Sequence, residues 1–174
     1  MTNAKVKESG TSRPAFAARK AATPAAVQPR GCTNLKLRQL SRAVTRHYDA
    51  VVCATGLKNT QYSLLSHVVL LGPIRPSDLA ASMKLEASTL TRNLQPLVAQ
   101  GWVELAPGVD ARSRLVAITE AGRAKRAEGQ KAWKQAQLAL NATLGPQRVA
   151  RLHALADECM SLLEAGVYEG ASDE

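Results

Sequence analysis

The sequence predicts a mainly α-helical fold with one small β-hairpin, and three observations carry that prediction. Hydrophobic residues make up 45% of the 174 residues but aromatic residues only 3%, a balance typical of helices rather than of a β-sandwich. Apolar residues recur at spacings of three and four through most of the chain, whereas residues 102–105 and 115–119 are β-like. The length fits one domain with attached arms.

The composition also excludes several classes of protein. No apolar run is long enough to cross a bilayer, and the first residues lack the apolar segment of a signal peptide. The three cysteines are too widely spaced for a disulfide framework, and with the three histidines they lack metal-ligand spacing. We therefore expect a cytoplasmic protein with no metal, no resident cofactor and no membrane partner.

The charge is distributed unevenly along the chain. The formal net charge of +9 suggests polyanionic partners. Residues 1–31 contain six basic residues, one acidic residue and no regular period, which predicts a disordered basic arm. After Arg151 no basic residue follows, and residues 166–174 are predicted to form an acidic tail. The arm either holds phosphates or is a solvated extension, and its sequence leaves both readings open.

Two helices are predicted before residue 72. The first spans about 34–54, capped by Thr33 or Asn34, and stops at Gly56. The second spans about 59–71 and ends at a Gly-Pro pair. Its interior is apolar on most sides, which predicts deep burial.

The remaining elements are short and closely spaced. The sequence predicts two more helices at 76–83 and 87–100, then a β-hairpin with its tip at 107–110, then closing helices from about 120 to 144 and from 146 to 165. Helix, short turn, helix and two-stranded hairpin is the layout of a winged helix-turn-helix.

The helix at 87–100 has two different faces. One is apolar: Leu90, Leu94, Leu97 and Val98. The opposite face and its flanks carry hydrogen-bonding side chains and no acid: Ser88, Thr89, Thr91, Arg92, Asn93 and Gln95. In a winged helix such a helix enters the DNA major groove, where arginine pairs with guanine and amides or hydroxyls contact bases and phosphates. An ordinary solvated helix face is the alternative interpretation.

The predicted hairpin tip carries two arginines. Arg112 and Arg114 are placed to reach a minor groove or phosphates, and Asp110 is placed to orient one guanidinium. The pattern is weak evidence alone, but it follows a hydroxyl-rich helix at the spacing of a wing. We therefore add these three residues to the candidate DNA-binding set.

Several segments resemble the MarR family of bacterial transcription regulators. They are the opening of the second helix at Gly56–Leu65, the short third helix at Arg75–Ala80, the fourth helix at Ser88–Leu97 with Gly101–Val103, and the wing with its exit at Asp110–Arg114 and Ile118–Arg123. Their order and spacing match, and the six-helix order extends the resemblance to residues 34–165.

The resemblance implies a homodimeric DNA-binding regulator. Dimerisation helices would span about 34–55 and 121–165, with a winged helix at about 57–120. Such proteins are typically repressors that bind a near-palindromic operator in the bacterial nucleoid. Release is commonly caused by a small aromatic acid or phenol, and in other members by oxidation of a cysteine. No sequence motif of an enzyme is present.

Three positions depart from the family pattern. Lys58 replaces the usual threonine, so Asn59 or Thr60 is expected to cap the second helix instead. Ser113 stands where many members have an acid, which changes the ion pairing at the wing. Pro96 lies inside the fourth helix and is expected to bend it, because it removes a backbone hydrogen bond.

Candidate effector residues lie on the first two helices. Arginine would pair with an acid, and histidine or tyrosine would bond a ring substituent. The candidates are Arg42, Arg46, His47, Tyr48, Tyr62 and His67. Interface arginines and hydrogen-bonded core histidines are the alternative. Trp133 would either stack on a ligand or pack in the interior.

Cysteine chemistry and other function classes stay open. Cys32, at the start of the first helix, is a candidate redox sensor because a helix N-terminus favours thiolate, although no tyrosine follows within two turns. Cys53 and Cys159 are expected to pack among apolar side chains. A non-specific architectural DNA binder and a protein-interaction adaptor are the competing functions, and selectivity for a DNA sequence separates them from a regulator.

Overall fold

The computed structural model describes residues 30–108 and 113–169. The elements are α1 (Thr33–Val52), a 3-10 turn (Cys53–Thr55), α2 (Asn59–Leu71), α3 (Pro76–Ser82), α4 (Ala87–Ala99), β1 (Val103–Pro107), β2 (Arg114–Ile118), α5 (Glu120–Leu144) and α6 (Pro146–Glu169). The predicted fold class is confirmed. Helix α6 continues beyond the predicted end near Ala165. The arm over residues 1–29, the tail after Glu169 and the hairpin tip at 109–112 lie outside the described residues.

Most of the core lies in the winged-helix region, with Val52 of α1 added to it. Its fully buried side chains are Val52, Leu57, Leu64, Leu65, Val68, Leu79, Leu90, Leu97, Val103 and Val116. Helix α2 contributes three of them, so the predicted deep burial holds for one face. Leu70 is 78% exposed, because it lies two residues after Val68 and therefore on the opposite side of the helix.

Helix α2 is capped from another helix, which corrects the expectation for Asn59 or Thr60. The backbone N–H of Asn59 donates to the carboxylate of Asp49 at 2.7 Å. The N–H of Lys58 donates to Oε1 of Gln61 at 2.9 Å. Because Asp49 lies on α1, the cap also ties α1 to the winged-helix region, and local sequence gave no sign of that contact.

The hairpin is joined to α2–α3 and to α5. In the antiparallel register Val103 pairs with Ile118 and Pro107 with Arg114. The backbone of Ile74 exchanges two hydrogen bonds with Val116, at 3.1 and 2.8 Å. These bonds fix the base of the hairpin against the turn before α3.

A tight junction links the end of α4 to the start of α5. The Thr119 hydroxyl donates to the carbonyl of Gly101 at 2.7 Å and accepts from the N–H of Gly122 at 3.0 Å. A Cβ at Gly122 would lie 1.9 Å from the carbonyl oxygen of Trp102. Glycine is therefore required there, because any side chain would push α5 away from the hairpin.

The terminal helices leave much of their apolar surface exposed. On α1 the exposed leucines are Leu35, Leu37 and Leu40, and on α6 the exposed apolar residues are Leu155, Met160, Leu162 and Leu163. Cys53 and Cys159 are also exposed, so their expected packing is not found within the single chain. The reason is that helical periodicity identifies an apolar face without identifying what covers it.

No helix among the described residues is long and apolar enough to span a membrane.

Candidate nucleic-acid interface

The polar face of α4 is set by the residues buried behind it. Leu90, Leu94 and Leu97 pack into the core and fix the rotation of the helix. Ser88, Arg92 and Gln95 are exposed on the other side, as predicted from their spacing. Val98 was predicted to share the buried face, but it is 36% exposed because it lies at the edge of the apolar stripe. The helix continues through Pro96 to Ala99.

The residues flanking this face differ in burial and in hydrogen bonding. Thr89 and Asn93 are half-buried, whereas Thr91 is exposed. The hydroxyl of Thr91 donates to the carbonyl of Ala87 at 2.9 Å, so its oxygen is left as an acceptor. Arg92, Gln95 and Ser88 therefore provide the exposed donors of α4.

Part of the predicted wing is described. Arg114 is exposed at the start of β2, and the N–H of Gly108 donates to the carbonyl of Ser113 at 2.9 Å across the hairpin. Asp110 and Arg112 lie outside the described residues. The described strands end beside these positions, so Arg114 is the predicted wing residue whose placement the structure gives.

A polar cleft lies between the start of α2 and α4. Its volume is about 180 Å³, and it is lined by Lys58, Thr60, Gln61, Arg92, Asn93 and Pro96. The sequence analysis placed Arg92 and Asn93 in the candidate site but not the α2 residues. The signal that could have found them was the lysine at position 58, where the family opening has a threonine.

An apolar groove lies on another side of α4. Its volume is about 410 Å³, and it is lined by Pro76, Thr91, Leu94, Gln95, Val98, Ala99 and Leu105. Sequence analysis missed this groove because its residues come from α3, α4 and β1. Val98 and Leu105 are the large apolar lining residues that are exposed.

Four of the aromatic and histidine side chains come together where α1 and α2 meet α5. The Trp133 ring stacks with Tyr48 at 6.3 Å and with Tyr62 at 5.9 Å between centroids. The Tyr48 hydroxyl donates to Gln137, and burial raises the pKa of this phenol above its usual value. Nε2 of His47 lies 3.0 Å from the carbonyl of Ala136, so that nitrogen carries the proton.

The other effector candidates lie elsewhere. Arg42 and Arg46 are exposed on α1, and Nε of Arg42 donates to the carbonyl of Arg38 at 3.2 Å. Nδ1 of His67 bonds the carbonyl of Ser63 in its own helix at 2.8 Å. The structure therefore brings Tyr48, Tyr62 and His47 together and leaves the arginines on the α1 surface.

Two buried polar atoms near α2 and α5 were not anticipated. Oγ of Ser66 and Nε of Arg126 have no hydrogen-bond partner among the described residues. Nη1 of Arg126 donates to Gln130 at 2.8 Å. A lysine- and arginine-rich helix is typical of a solvated surface, so the sequence gave no reason to single out Arg126.

The last candidates are the redox cysteine, Cys32, and a metal site. Cys32 is free and exposed, as a reactive thiol would need to be. Within the part of the chain that the structure describes, no group of three His, Cys, Asp or Glu side chains could hold a metal ion.

These features define a winged helix-turn-helix protein with a polar recognition helix. A family model described as the MarR family matches residues 55–113. The chain is 31% identical to the transcriptional regulator MosR of M. tuberculosis, crystallised in complex with DNA, over 74% of this chain and 98% of that one, with a TM-score of 0.62.

Two further relatives are also transcription regulators or share the fold. The HTH-type transcriptional regulator YwoH of Bacillus subtilis (strain 168), itself uncharacterised, is 28% identical over 93 residues, which is 53% of this chain and 68% of YwoH. A mutant of MarR from E. coli complexed with operator DNA is 23% identical with a TM-score of 0.67, over 72% of this chain and 91% of that one, and it supports the fold alone. The chain belongs to the MarR family of transcriptional regulators, a family of regulators rather than of enzymes.

Proposed function

We propose that this protein is a sequence-specific DNA-binding repressor that acts as a homodimer on a near-palindromic operator and is released by a small aromatic acid or phenol. The observation that carries the DNA-binding part is the exposed, acid-free face of α4. Three buried leucines hold that face outward, so its side chains are available to a major groove without any rearrangement of the core.

The proposed DNA contacts divide into two groups. On α4 they are Ser88, Thr89, Thr91, Arg92, Asn93 and Gln95, with Arg92 bidentate to a guanine edge. At the wing they are Asp110, Arg112 and Arg114, with the arginines in a minor groove or on phosphates. MosR, the relative at 31% identity, was crystallised with DNA, which supports duplex DNA as the ligand.

The proposed dimer rests on the exposed apolar residues of α1 and α6. Leu162 and Leu163 are 66% and 72% exposed in the single chain, and a row of such residues on long helices is typical of an interface. We assign dimerisation to about 34–55 and 121–165 and the winged helix to about 57–120. Two-fold symmetry then places the recognition helices about 34–36 Å apart, one turn of DNA.

The proposed effector response centres on the aromatic cluster of Tyr48, Tyr62 and Trp133. These rings connect α1 and α5 of the dimerisation region to α2 of the winged helix. An aromatic ligand that competes for these ring contacts would change the angle between the two regions. An arginine of α1, Arg42 or Arg46, would pair with a ligand carboxylate, and His47 or His67 would bond a ring substituent.

Selection from a random duplex pool tests the DNA-binding proposal. The winning duplex would then be titrated by fluorescence anisotropy at two salt concentrations. An enriched inverted repeat bound by a dimer, with a steep salt dependence, is the expected result. Binding without an enriched sequence would replace the proposal with an architectural role, and the absence of binding by folded protein would favour an adaptor.

The effector proposal is tested on the complex formed with that duplex. A panel of hydroxybenzoates should release the DNA and quench tryptophan fluorescence, whereas an aliphatic acid of equal charge should do neither. Release by peroxide, abolished in Cys32→Ser, would support a cysteine-based redox sensor instead.

A further inference from the structure

The polar cleft between α2 and α4 has the composition of an anion site. Two of its six lining residues are cations: Lys58, which immediately precedes α2, and Arg92 on α4. A hydroxyl and two amides, from Thr60, Gln61 and Asn93, complete the polar wall. No carboxylate lines the cleft, so a bound anion would meet no like charge.

The two cations are available to an external ligand. Lys58 and Arg92 are exposed, and among the described residues the salt bridges are formed by other lysines, Lys84 and Lys125. The backbone N–H groups of Lys58 and Asn59 already donate to Gln61 and Asp49. These two N–H groups are therefore not open to an anion, and the side chains of Lys58 and Arg92 supply the full positive charges of the cleft.

The size of the cleft limits its ligand. At about 180 Å³ it is smaller than the 300–1,000 Å³ of typical sites for drug-sized molecules. A single phosphate group fits this volume, and the cleft borders the face of α4 that we assign to the major groove. The phosphates that flank a major groove lie beside any helix that enters it.

We propose that this cleft binds one phosphate of the DNA backbone in each half-site, with Lys58 as the principal cation and Thr60 as a hydrogen-bond donor. The inference rests on the proposed DNA-binding function. Lys58 and Thr60 fix the position of α4 along the groove, which leaves Arg92 to read a base edge. The lysine in place of the family's threonine gives this chain one extra phosphate-binding charge per protomer.

The test compares Lys58→Gln with Lys134→Gln, which removes the same charge from an exposed site on α5. On the selected duplex, Lys58→Gln should reduce the slope of log K against log salt by about 0.9 per half-site. Its base preference should stay that of the parent. Lys58→Arg should retain the parent slope, and Lys134→Gln should leave it unchanged.

A duplex scan locates the phosphate. Neutral methylphosphonate is introduced at each backbone position in turn, and one position per half-site should weaken the parent but not Lys58→Gln. An unchanged salt slope in Lys58→Gln, an equal loss in Lys134→Gln, or no position coupled to Lys58 would overturn this inference while leaving DNA binding in place. A parent that binds no duplex would overturn both proposals.

Discussion

The winged-helix region and the terminal helices use leucine in opposite ways. In the first, Leu65 and Leu97 are fully buried by neighbours from the same chain. In the second, Leu155 and Leu162 lie seven residues apart on one face of α6 and remain largely exposed. The difference shows that the winged helix closes its own core, whereas the apolar faces of α1 and α6 are left uncovered by their own chain.

The largest expected effect is in the closed core. Leu65→Ala should lower the free energy of unfolding by about 2–5 kcal/mol, because it leaves a cavity among fully buried side chains. Chemical denaturation at several protein concentrations measures it, and the loss should be independent of concentration. A loss below 1 kcal/mol would show that this core is not closed as described.

The second effect belongs to the exposed leucines. Leu162→Ala combined with Leu163→Ala should weaken the proposed dimer by about 3 kcal/mol, or about 100-fold in Kd, since each side chain would be buried only by a partner. Sedimentation equilibrium measures it. An unchanged dimer would move the interface away from the end of α6, and a destabilised monomer would contradict the observed exposure.

A smaller effect is expected on the recognition helix. Arg92→Ala should cost about 1–3 kcal/mol of DNA binding and relax the preference at one base pair of each half-site. Selection repeated with the variant would show it. Arg151→Ala, an exposed arginine on α6, is the control and should keep both the affinity and the preference.

The wing arginines should contribute less to DNA-binding affinity than Arg92 and should not affect the base preference. Arg114→Ala should weaken binding at low salt and make the salt dependence shallower, because a contact to the backbone or the minor groove is lost. Arg112→Ala should behave in the same way. If both variants bound as tightly as the parent at every salt concentration, the wing assignment would be wrong.

The smallest effect concerns Tyr48. Burial raises the pKa of its phenol above 10.0 in the folded chain, so the neutral phenol favours folding below that pH and this stability is lost as the pH rises through the folded pKa. The stability difference between the parent and Tyr48→Phe should therefore shrink above pH 10. A difference that is constant with pH would contradict the stated burial.

The spacing of apolar residues predicted the helices and their buried faces better than it predicted the contacts between distant segments. The positions of Leu90, Leu94 and Leu97 sufficed to orient α4, because a helix exposes one face when its opposite face is buried. Val98, at the margin of that stripe, was placed wrongly for the same reason. Contacts between distant segments were beyond such reasoning: Asp49 caps α2 ten residues later, and Trp133 meets Tyr48 only through packing of α5 on α1.

The candidate site was predicted in part. Residues of α4 were found because a single helix face carries them, and Arg114 was found from the hairpin pattern. Lys58 was noted as a departure from the family, yet its place beside Arg92 depends on how α2 crosses α4. The cleft that they share exists only in three dimensions.

The junction at Gly122 couples the position of α5 to that of the hairpin. The start of α5 has no room for even a methyl group against the Trp102 carbonyl, and Thr119 bonds both Gly101 and Gly122, so a displacement of α5 would press directly on the base of the hairpin. Trp133 lies eleven residues further along the same helix, about 16 Å at 1.5 Å per residue. A small tilt of α5 at the aromatic cluster would thus turn the base of the hairpin with it, and Arg114, at the far end of the described strands, would be displaced more than Ile118.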